Sequence, residues 1–220
     1  FIMSQNNSNW APVPIRTHLI TEKDDIVEVV LRYTSSVAEP GDVIVIAESP
    51  VAISQGRAYL SSSVKSGLLA RFLCKFPNKD GSLATPQAMQ LAINEVGAFR
   101  ILLGALAAGL GKAVGRSGDF YRVAGRELAK IDDIAGTMPP FDRFIVLWPK
   151  NPKKITDEIY KRTGITTVIA DINDIRCVDI LAISGIASEK EIIEILKQNP
   201  LGNDDQQTPI VVLKKINKGR

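Results

Sequence analysis

Histidine and cysteine are scarce in this chain of 220 residues, which contains one histidine and two cysteines. A disulfide framework or a zinc site needs several cysteines at characteristic spacings, whereas Cys74 and Cys177 each stand alone in an apolar stretch. Since His18 is the single histidine, neither a catalytic pair of histidines nor a histidine metal cage is indicated. If the chain binds a metal, we expect oxygen ligands.

Long apolar runs and a strong net charge are also absent. The longest apolar run, residues 101–110, is too short and too rich in glycine to span a bilayer. No signal peptide is visible, so we expect a cytoplasmic protein without membrane association. The net charge is only +3, and the lysines and arginines are scattered, which does not favour nucleic acid as a partner.

The composition is that of an ordinary globular protein with a sizeable core, with 45% hydrophobic and 23% charged residues. We expect a disordered segment over residues 1–9, one domain over residues 10–216 and a basic tail over residues 217–220. Runs of β-branched residues alternate with helical periodicity and capping signals, which predicts an α+β fold with mixed sheets and packed helices. Strands are predicted at residues 43–47, 143–148, 165–171 and 210–215, and a further strand follows the polar turn after Asp171, in the stretch that ends at Ser184. Helices are predicted at residues 21–37, 60–76, 86–96, 98–108, 152–163 and 188–197.

Two of these helices carry more detailed expectations. Thr21 or Asp24 is a suitable N-terminal cap for the helix over residues 21–37. The helix over residues 98–108 is so apolar that we expect it to lie in the core.

Acidic residues directly follow one of the predicted strands. Residues 165–170 are β-branched and apolar, as in a strand buried on both faces, and Asp171, Asn173 and Asp174 come next. An unpaired buried charge is costly, so this cluster needs an explanation. It is either an oxygen-ligand site for Mg²⁺ or Mn²⁺ or an Asx-type turn that joins two strands. The residues alone leave both interpretations open.

Two other segments are candidates for ligand contacts. Glycines and basic residues alternate over residues 104–126, where backbone N–H groups and arginines would suit a phosphate; close helix packing is the alternative. This segment is not a P-loop, because no serine or threonine follows Lys112. The polar residues 48–57 follow the strand at residues 43–47, and we expect them to form a loop whose side chains face a ligand.

Several motifs, taken in order, resemble the coenzyme factor-420 gamma-glutamyl ligase family over most of residues 14–184. The first is IRTHLITEKDDIVEVV, followed by EPGDVIVIAESPVAISQGR, which ends at Gly56 and Arg57. The segment GRSGDFYRVAG, from Gly115 to Gly125, resembles the family's glycine-rich segment. The elements RFIVLWPKNP and VIAD then match in the same order.

The resemblance implies a GTP-dependent, divalent-metal enzyme that joins glutamate by an amide bond to a phosphorylated coenzyme precursor. A substrate carboxylate would attack the γ-phosphate of GTP, and the glutamate amine would then displace phosphate. The partners implied are the small-molecule substrate, the nucleotide and a second copy of the chain in a homodimer. The resemblance assigns catalysis to Asp171 and Asp132, the metal to Asp171 with Asp132 or Asp133, and substrate or nucleotide binding to Gly56, Arg57, Arg116, Gly118, Gly125 and Arg176.

The chain also departs from the family pattern. Ser49 and Ile53 stand where the family carries lysines, and Ile172 stands where it carries a threonine. Three hypotheses therefore remain: a nucleotide- and metal-dependent amide ligase, a diverged nucleotide or small-molecule binding protein without ligase activity, and a structural protein. We expect little glutamyl ligation of the deazaflavin coenzyme because both lysines are missing.

Overall fold

A computed structural model describes residues 10–77, 81–133, 139–172, 177–202 and 206–216, without the side chains of Asp132 and Asp133. The predictions for residues 1–9 and 217–220 lie outside these ranges. The chain divides into two compact units, and unit 2 runs from Arg57 to Trp148. Unit 1 comprises the residues up to Gly56 together with those from Pro149 onward. The single domain expected over residues 10–216 stays a prediction, because this division does not show whether either unit folds alone.

The described residues form eight strands and eight α-helices, which confirms the predicted α+β class with mixed sheets and packed helices. In chain order these elements are β1 (Trp10–Ile15), α1 (Ile26–Thr34), β2 (Val43–Ala47), α2 (Glu48–Ser54), β3 (Ala58–Leu60), α3 (Leu68–Leu73), α4 (Pro86–Val96), α5 (Ala98–Ala113), α6 (Asp119–Ala124), β4 (Asp132–Asp133), β5 (Phe144–Val146), α7 (Pro152–Thr163), β6 (Thr166–Ile172), β7 (Val178–Ser184), α8 (Glu189–Leu196) and β8 (Ile210–Lys215).

Unit 1 is built on a five-stranded sheet in the order β1-β8-β2-β6-β7. The strands β2 and β6 are parallel, and the other neighbours are antiparallel. Successive side chains of a strand point to opposite faces, so Ile44 and Ile46 enter one core cluster with α1 and α7. Val43 and Val45 enter a second cluster with α8. The sheet is therefore buried on both faces, as its β-branched runs predict.

The N-terminal cap of α1 differs from the predicted one. Asp25 accepts hydrogen bonds from the backbone N–H groups of Val27 and Glu28. Thr21 and Asp24 instead bond to each other, since the N–H and hydroxyl of Thr21 both donate to the Asp24 carboxylate. The prediction that Thr21 or Asp24 caps the helix is wrong, and α1 is shorter than residues 21–37 because those two residues form the turn before it.

The Gly-Asp turn before β2 fastens this strand to β8. The Asp42 carboxylate is buried and accepts from the backbone N–H groups of Glu39 and Lys215, at 2.8 and 3.0 Å. The ammonium of Lys214 lies 2.9 Å from the same carboxylate. Burial acts to raise the pKa of Asp42, but these hydrogen bonds more than offset it, and the pKa is lowered from its ordinary value. This turn has a structural role.

Unit 2 contains a three-stranded antiparallel sheet, β3-β5-β4, and the helices α3 to α6. As predicted, α4 begins after Thr85, whose hydroxyl accepts from the N–H of Ala88, and ends at Gly97, where φ is +86°. The predicted helix over residues 60–76 is mostly wrong, because β3 ends at Leu60, Ser61–Ser63 is a short 3-10 helix and α3 spans only Leu68–Leu73. Unit 2 has its own core, with Leu83, Met89, Ile101, Leu128 and Ile145 among its largest buried side chains.

The helix α5 is not the buried core helix that its composition suggests. Only Ile101, Gly104 and Gly111 are buried. The large apolar side chains of its other face, which we call the α5 apolar face, are 41–75% exposed; they are Phe99, Leu102, Leu103, Leu106 and Leu110. The prediction fails because composition reports apolarity and not which face finds a partner.

No single described helix is both long and apolar enough to cross a bilayer. The helices α4 and α5 pass that test only when they are joined, and the chain bends by 115° between them.

Candidate functional site

The acidic end of β6 lies opposite a second acidic residue. In the antiparallel ladder of β6 and β7, Asp171 pairs with Asp179, just beyond a register shift at Ile169 and Ala170. Residues directly opposite in such a ladder project to the same face of the sheet. A hard divalent cation takes carboxylate oxygens as ligands. The donor chemistry at this end of the sheet therefore suits Mg²⁺ or Mn²⁺.

Asp179 was missed by sequence reasoning. It follows Asp171 by eight residues, and only the register of β6 against β7 brings the two together. Regular alternation along two predicted strands could have suggested this pairing, but the register shift moves the opposite residue by one position. The connection with Asn173, Asp174 and Arg176 lies outside the described residues, so the Asx turn and the role of Arg176 stay predictions.

The second acidic pair lies on a different unit. Asp132 and Asp133 form β4, where they pair with Val146 and Ile145 of β5. Since Asp171 belongs to unit 1 and β4 to unit 2, the predicted approach of Asp132 to Asp171 stays a prediction. Within the described parts of the chain, no three or more His, Cys, Asp or Glu side chains gather as a ready metal cluster.

The segment after β2 is a helix and not the predicted loop. Helix α2 begins at Glu48, directly after the strand, and Val51, Ala52 and Ile53 are buried. Pro50 falls in the first turn of the helix, where its missing N–H has no cost. Ile53 is 5% exposed, so the expectation that its side chain faces a ligand is wrong. The position that carries a lysine in the family is here part of the core.

Gly56 and Arg57 close this segment. Gly56 adopts φ +68°, a left-handed conformation that favours glycine. Arg57 is only 4% exposed. Its Nε donates to the carbonyl of Trp148 at 2.6 Å, and its two terminal nitrogens donate to the two carboxylate oxygens of Glu95 at 3.2 and 3.0 Å. Nucleotide binding by these two residues stays a prediction.

The glycine-rich segment shows close helix packing, which was the alternative interpretation. A Cβ added at Gly104 would lie 2.8 Å from the Cβ of Ala124, so α5 and α6 approach each other at this glycine. An added Cβ at Gly111 would collide with the carboxylate of Asp119. These two glycines are therefore explained by contact between the two helices.

The phosphate interpretation is still open for the turn between these helices. Gly118 and Gly125 take positive φ values of +81° and +130° at the two ends of α6. Arg116 and Arg122 both donate to Asp119, at 3.2 and 2.9 Å, while their side chains stay largely exposed to solvent. Exposed arginines at a glycine turn are able to reach a phosphate, so the roles of Arg116, Gly118 and Gly125 stay predictions.

Comparison with known proteins gives one family. The family model for F420-0:Gamma-glutamyl ligase matches residues 14–171, which is well over half of the chain. No curated protein matches the chain. The match ends at Asp171 and so leaves out β7, α8 and β8. Its extent and the order of its motifs lead to one conclusion: this chain belongs to the F420-0:gamma-glutamyl ligase family.

Proposed function

We propose that the protein is a nucleotide- and divalent-metal-dependent amide ligase that joins glutamate to a phosphorylated coenzyme precursor or a related acid. The observation that carries this proposal is the family match over residues 14–171. The pairing of Asp171 with Asp179 on one face of the sheet supports the metal requirement, because carboxylate oxygens are the ligands that a hard cation takes.

The proposed reaction has two steps. A carboxylate oxygen of the acid bonds to the γ-phosphorus of GTP, and the bond to GDP breaks, which gives an acyl phosphate. The glutamate nitrogen then bonds to the acyl carbon, phosphate leaves, and the nitrogen releases a proton. An activated acyl group is needed because a free carboxylate is a poor electrophile at neutral pH.

The chain's own residues would hold the charged groups. Asp171 and Asp132, or Asp133, would bind Mg²⁺ or Mn²⁺ through carboxylate oxygens, and this cation neutralises charge on a transferring phosphoryl group. Arg116 and Arg176 would pair with phosphate oxygens. Gly56, Gly118 and Gly125, which lack a Cβ, would let the backbone approach the ligand closely.

A second function is favoured by the missing lysines. Losing a charge-assisted phosphate contact typically costs about 1.5–3 kcal/mol, or roughly 10- to 150-fold in affinity or rate. Ser49 and Ile53 replace two lysines of the family pattern, and Ile172 replaces a hydroxyl. We therefore expect ligation of the deazaflavin coenzyme to be weak, and a binding protein without ligase activity is the alternative function.

The direct test supplies purified protein with the coenzyme precursor, GTP, glutamate and Mn²⁺ and measures the glutamylated product by mass spectrometry. We expect product that depends on Asp171, at a rate more than tenfold below the ordinary enzyme median of about 10 per second. Asp171→Asn should abolish turnover, and Asp142→Asn, the same change at an exposed carboxylate, should not.

A thermal-shift assay with GTP or ATP, each with Mg²⁺ or Mn²⁺, separates the alternatives. A shift without product supports the binding protein, and neither shift nor product supports a structural role. Turnover near the median would instead show that the missing lysines do not matter.

A further inference from the structure

The ion pair of Arg57 and Glu95 is largely buried within unit 2. The side chains are 5% and 18% exposed, and the guanidinium meets the carboxylate through two hydrogen bonds. The guanidinium also lies over the indole of Trp148, 5.2 Å from the ring centroid. Together with the bond from Nε to the Trp148 carbonyl, three N–H donors and one face of the guanidinium are already engaged.

These contacts join three separate segments of unit 2. Glu95 lies in the last turn of α4, Arg57 is directly before β3, and Trp148 follows β5 by two residues. The backbone reinforces the junction, because the carbonyl of Arg57 accepts from the N–H of Leu147 at 3.0 Å. The ion pair therefore fixes both ends of unit 2 to one helix.

The strand held in this way carries the second acidic pair. β5 lies between β3 and β4 in the sheet of unit 2. Val146, two residues before Trp148, pairs with Ala58 on one side and with Asp132 on the other. The position of the β4 backbone is thus set through β5 by the pair of Arg57 and Glu95.

A nucleotide phosphate is a poor partner for this guanidinium. To contact Arg57 it would have to break the two hydrogen bonds to Glu95 and separate a largely buried ion pair, which is costly in a protein interior. Arginine is well suited to such a fixed role, because its planar fork matches a carboxylate and stacks on an aromatic ring.

We infer that Arg57 and Glu95 are positioning residues that set β5 and, through it, the acidic strand β4, and that Arg57 does not contact the nucleotide. The inference rests on the proposed function only for the role of Asp132 and Asp133. The ion pair itself stands on the geometry of unit 2.

The test compares single substitutions with a double apolar replacement. Arg57→Met or Glu95→Leu alone breaks the largely buried ion pair and should lower Tm by roughly 6–20 °C. The double variant Arg57→Met/Glu95→Leu removes both charges and should recover most of that loss, because a well-packed apolar pair often replaces a buried ion pair at little cost.

Three further readouts separate positioning from nucleotide contact. In the single variants, amide hydrogen exchange should speed up at Ile145, Val146 and Asp133, and kcat should fall. The KM for GTP should stay within about twofold of the wild-type value in the double variant. A direct contact would instead raise that KM by roughly 10- to 150-fold in every variant that lacks Arg57.

The inference is overturned if the double variant regains Tm but loses affinity for GTP. It is also overturned if Glu95→Leu leaves Tm and exchange unchanged. If the wild-type protein neither binds GTP nor turns over, the proposed function fails, but the Tm and exchange measurements still decide whether the pair holds β5 and β4.

Discussion

The two units differ in how many of their large apolar side chains are exposed to solvent. Among the described residues, fourteen large apolar side chains are exposed, and eleven of them belong to unit 2. The three in unit 1, Tyr160, Ile186 and Ile216, are isolated in sequence. In unit 1 the sheet has helices on both faces, so both apolar faces of its strands are covered. In unit 2, α5 approaches α6 closely at Gly104 and Gly111 and buries Ile101, but the large side chains of its apolar face stay exposed.

This difference shows that apolarity and burial are separate properties of a helix. Single exposed leucines need no explanation, but a continuous exposed apolar face marks an interaction surface. The homodimer stays a prediction, and we expect its interface to bury the α5 apolar face. The following predictions test the contrast between the two units.

The largest expected effect is on assembly. If the α5 apolar face is the dimer surface, Leu106→Asp/Leu110→Asp should abolish the dimer, because each buried leucine contributes about 1.5–3 kcal/mol and a symmetric interface uses each one twice. Light scattering at micromolar concentration should show a wild-type dimer and a monomeric variant. Ile186→Asp, at a side chain 94% exposed in unit 1, is the control and should stay dimeric. A wild-type monomer would show that the dimer prediction is wrong.

The second-largest effect is expected on stability, from a cavity made in the sheet of unit 1. Ile46 is fully buried at the centre of the sheet, so Ile46→Ala should lower the free energy of unfolding by about 2–5 kcal/mol. Ile186→Ala removes the same atoms from an exposed site and should change it by less than about 0.5 kcal/mol. Urea unfolding measures both, and equal losses would contradict the assignment of Ile46 to a closed core.

A substitution at Asp42 tests whether its carboxylate stabilises the pairing of β2 with β8 in unit 1. Asp42→Asn should lower the free energy of unfolding by about 2–3 kcal/mol at neutral pH, because the ammonium of Lys214 loses the buried Asp42 carboxylate as a partner. The pKa of Asp42 is lowered in the folded protein, so its contribution is complete above the ordinary value near 3.8 and is lost as the pH falls through the folded value. The variant should therefore show a weaker acid dependence of its unfolding midpoint than the wild type. The same acid dependence in both proteins would exclude this role.

The smallest effect is expected at Asp24, which is partly exposed. The hydrogen bond from His18 and the bonds from Thr21 lower the pKa of Asp24 against a small opposing effect of burial. Asp24→Asn should cost about 0.5–1 kcal/mol at neutral pH, and this contribution in the wild type should again disappear as the pH falls below about 3.8. Asp25→Asn keeps a capping side chain and should be nearly neutral. If Asp25→Asn lowers the free energy of unfolding as much as Asp24→Asn does, the loss reflects the cap of α1 and not the pair of Asp24 with His18.

Local signals in the sequence predicted much of the fold. The run Val43–Ala47 is the strand that its β-branched residues predict, and α4 follows the Thr85-Pro86 signal to Gly97. Gly164 ends α7 in a left-handed conformation, as its position after the helix suggests. Each of these depends only on neighbouring residues.

Features that depend on distant residues were not predictable. The sequence of residues 48–54 reads as polar, yet α2 forms because Val51 packs into the core of unit 1. The engagement of Arg57 depends on Glu95, which is 38 residues away. Asp179 meets Asp171 only through strand register. The candidate site was therefore predicted by residue type and by family resemblance, but not by its local contacts.

The place of β8 in the sheet has a consequence for synthesis on the ribosome. β8 lies between β1 and β2, and it is the neighbour through which β1 joins the sheet. Translation runs from residue 47 to residue 210 between the end of β2 and the start of β8, which takes roughly ten to thirty seconds at about 5–20 residues per second. Throughout that interval the nascent chain presents two apolar strands whose shared partner has not yet been made. Nascent-chain binding by a chaperone that recognises extended apolar segments should therefore begin once β2 leaves the exit tunnel and end when β8 does.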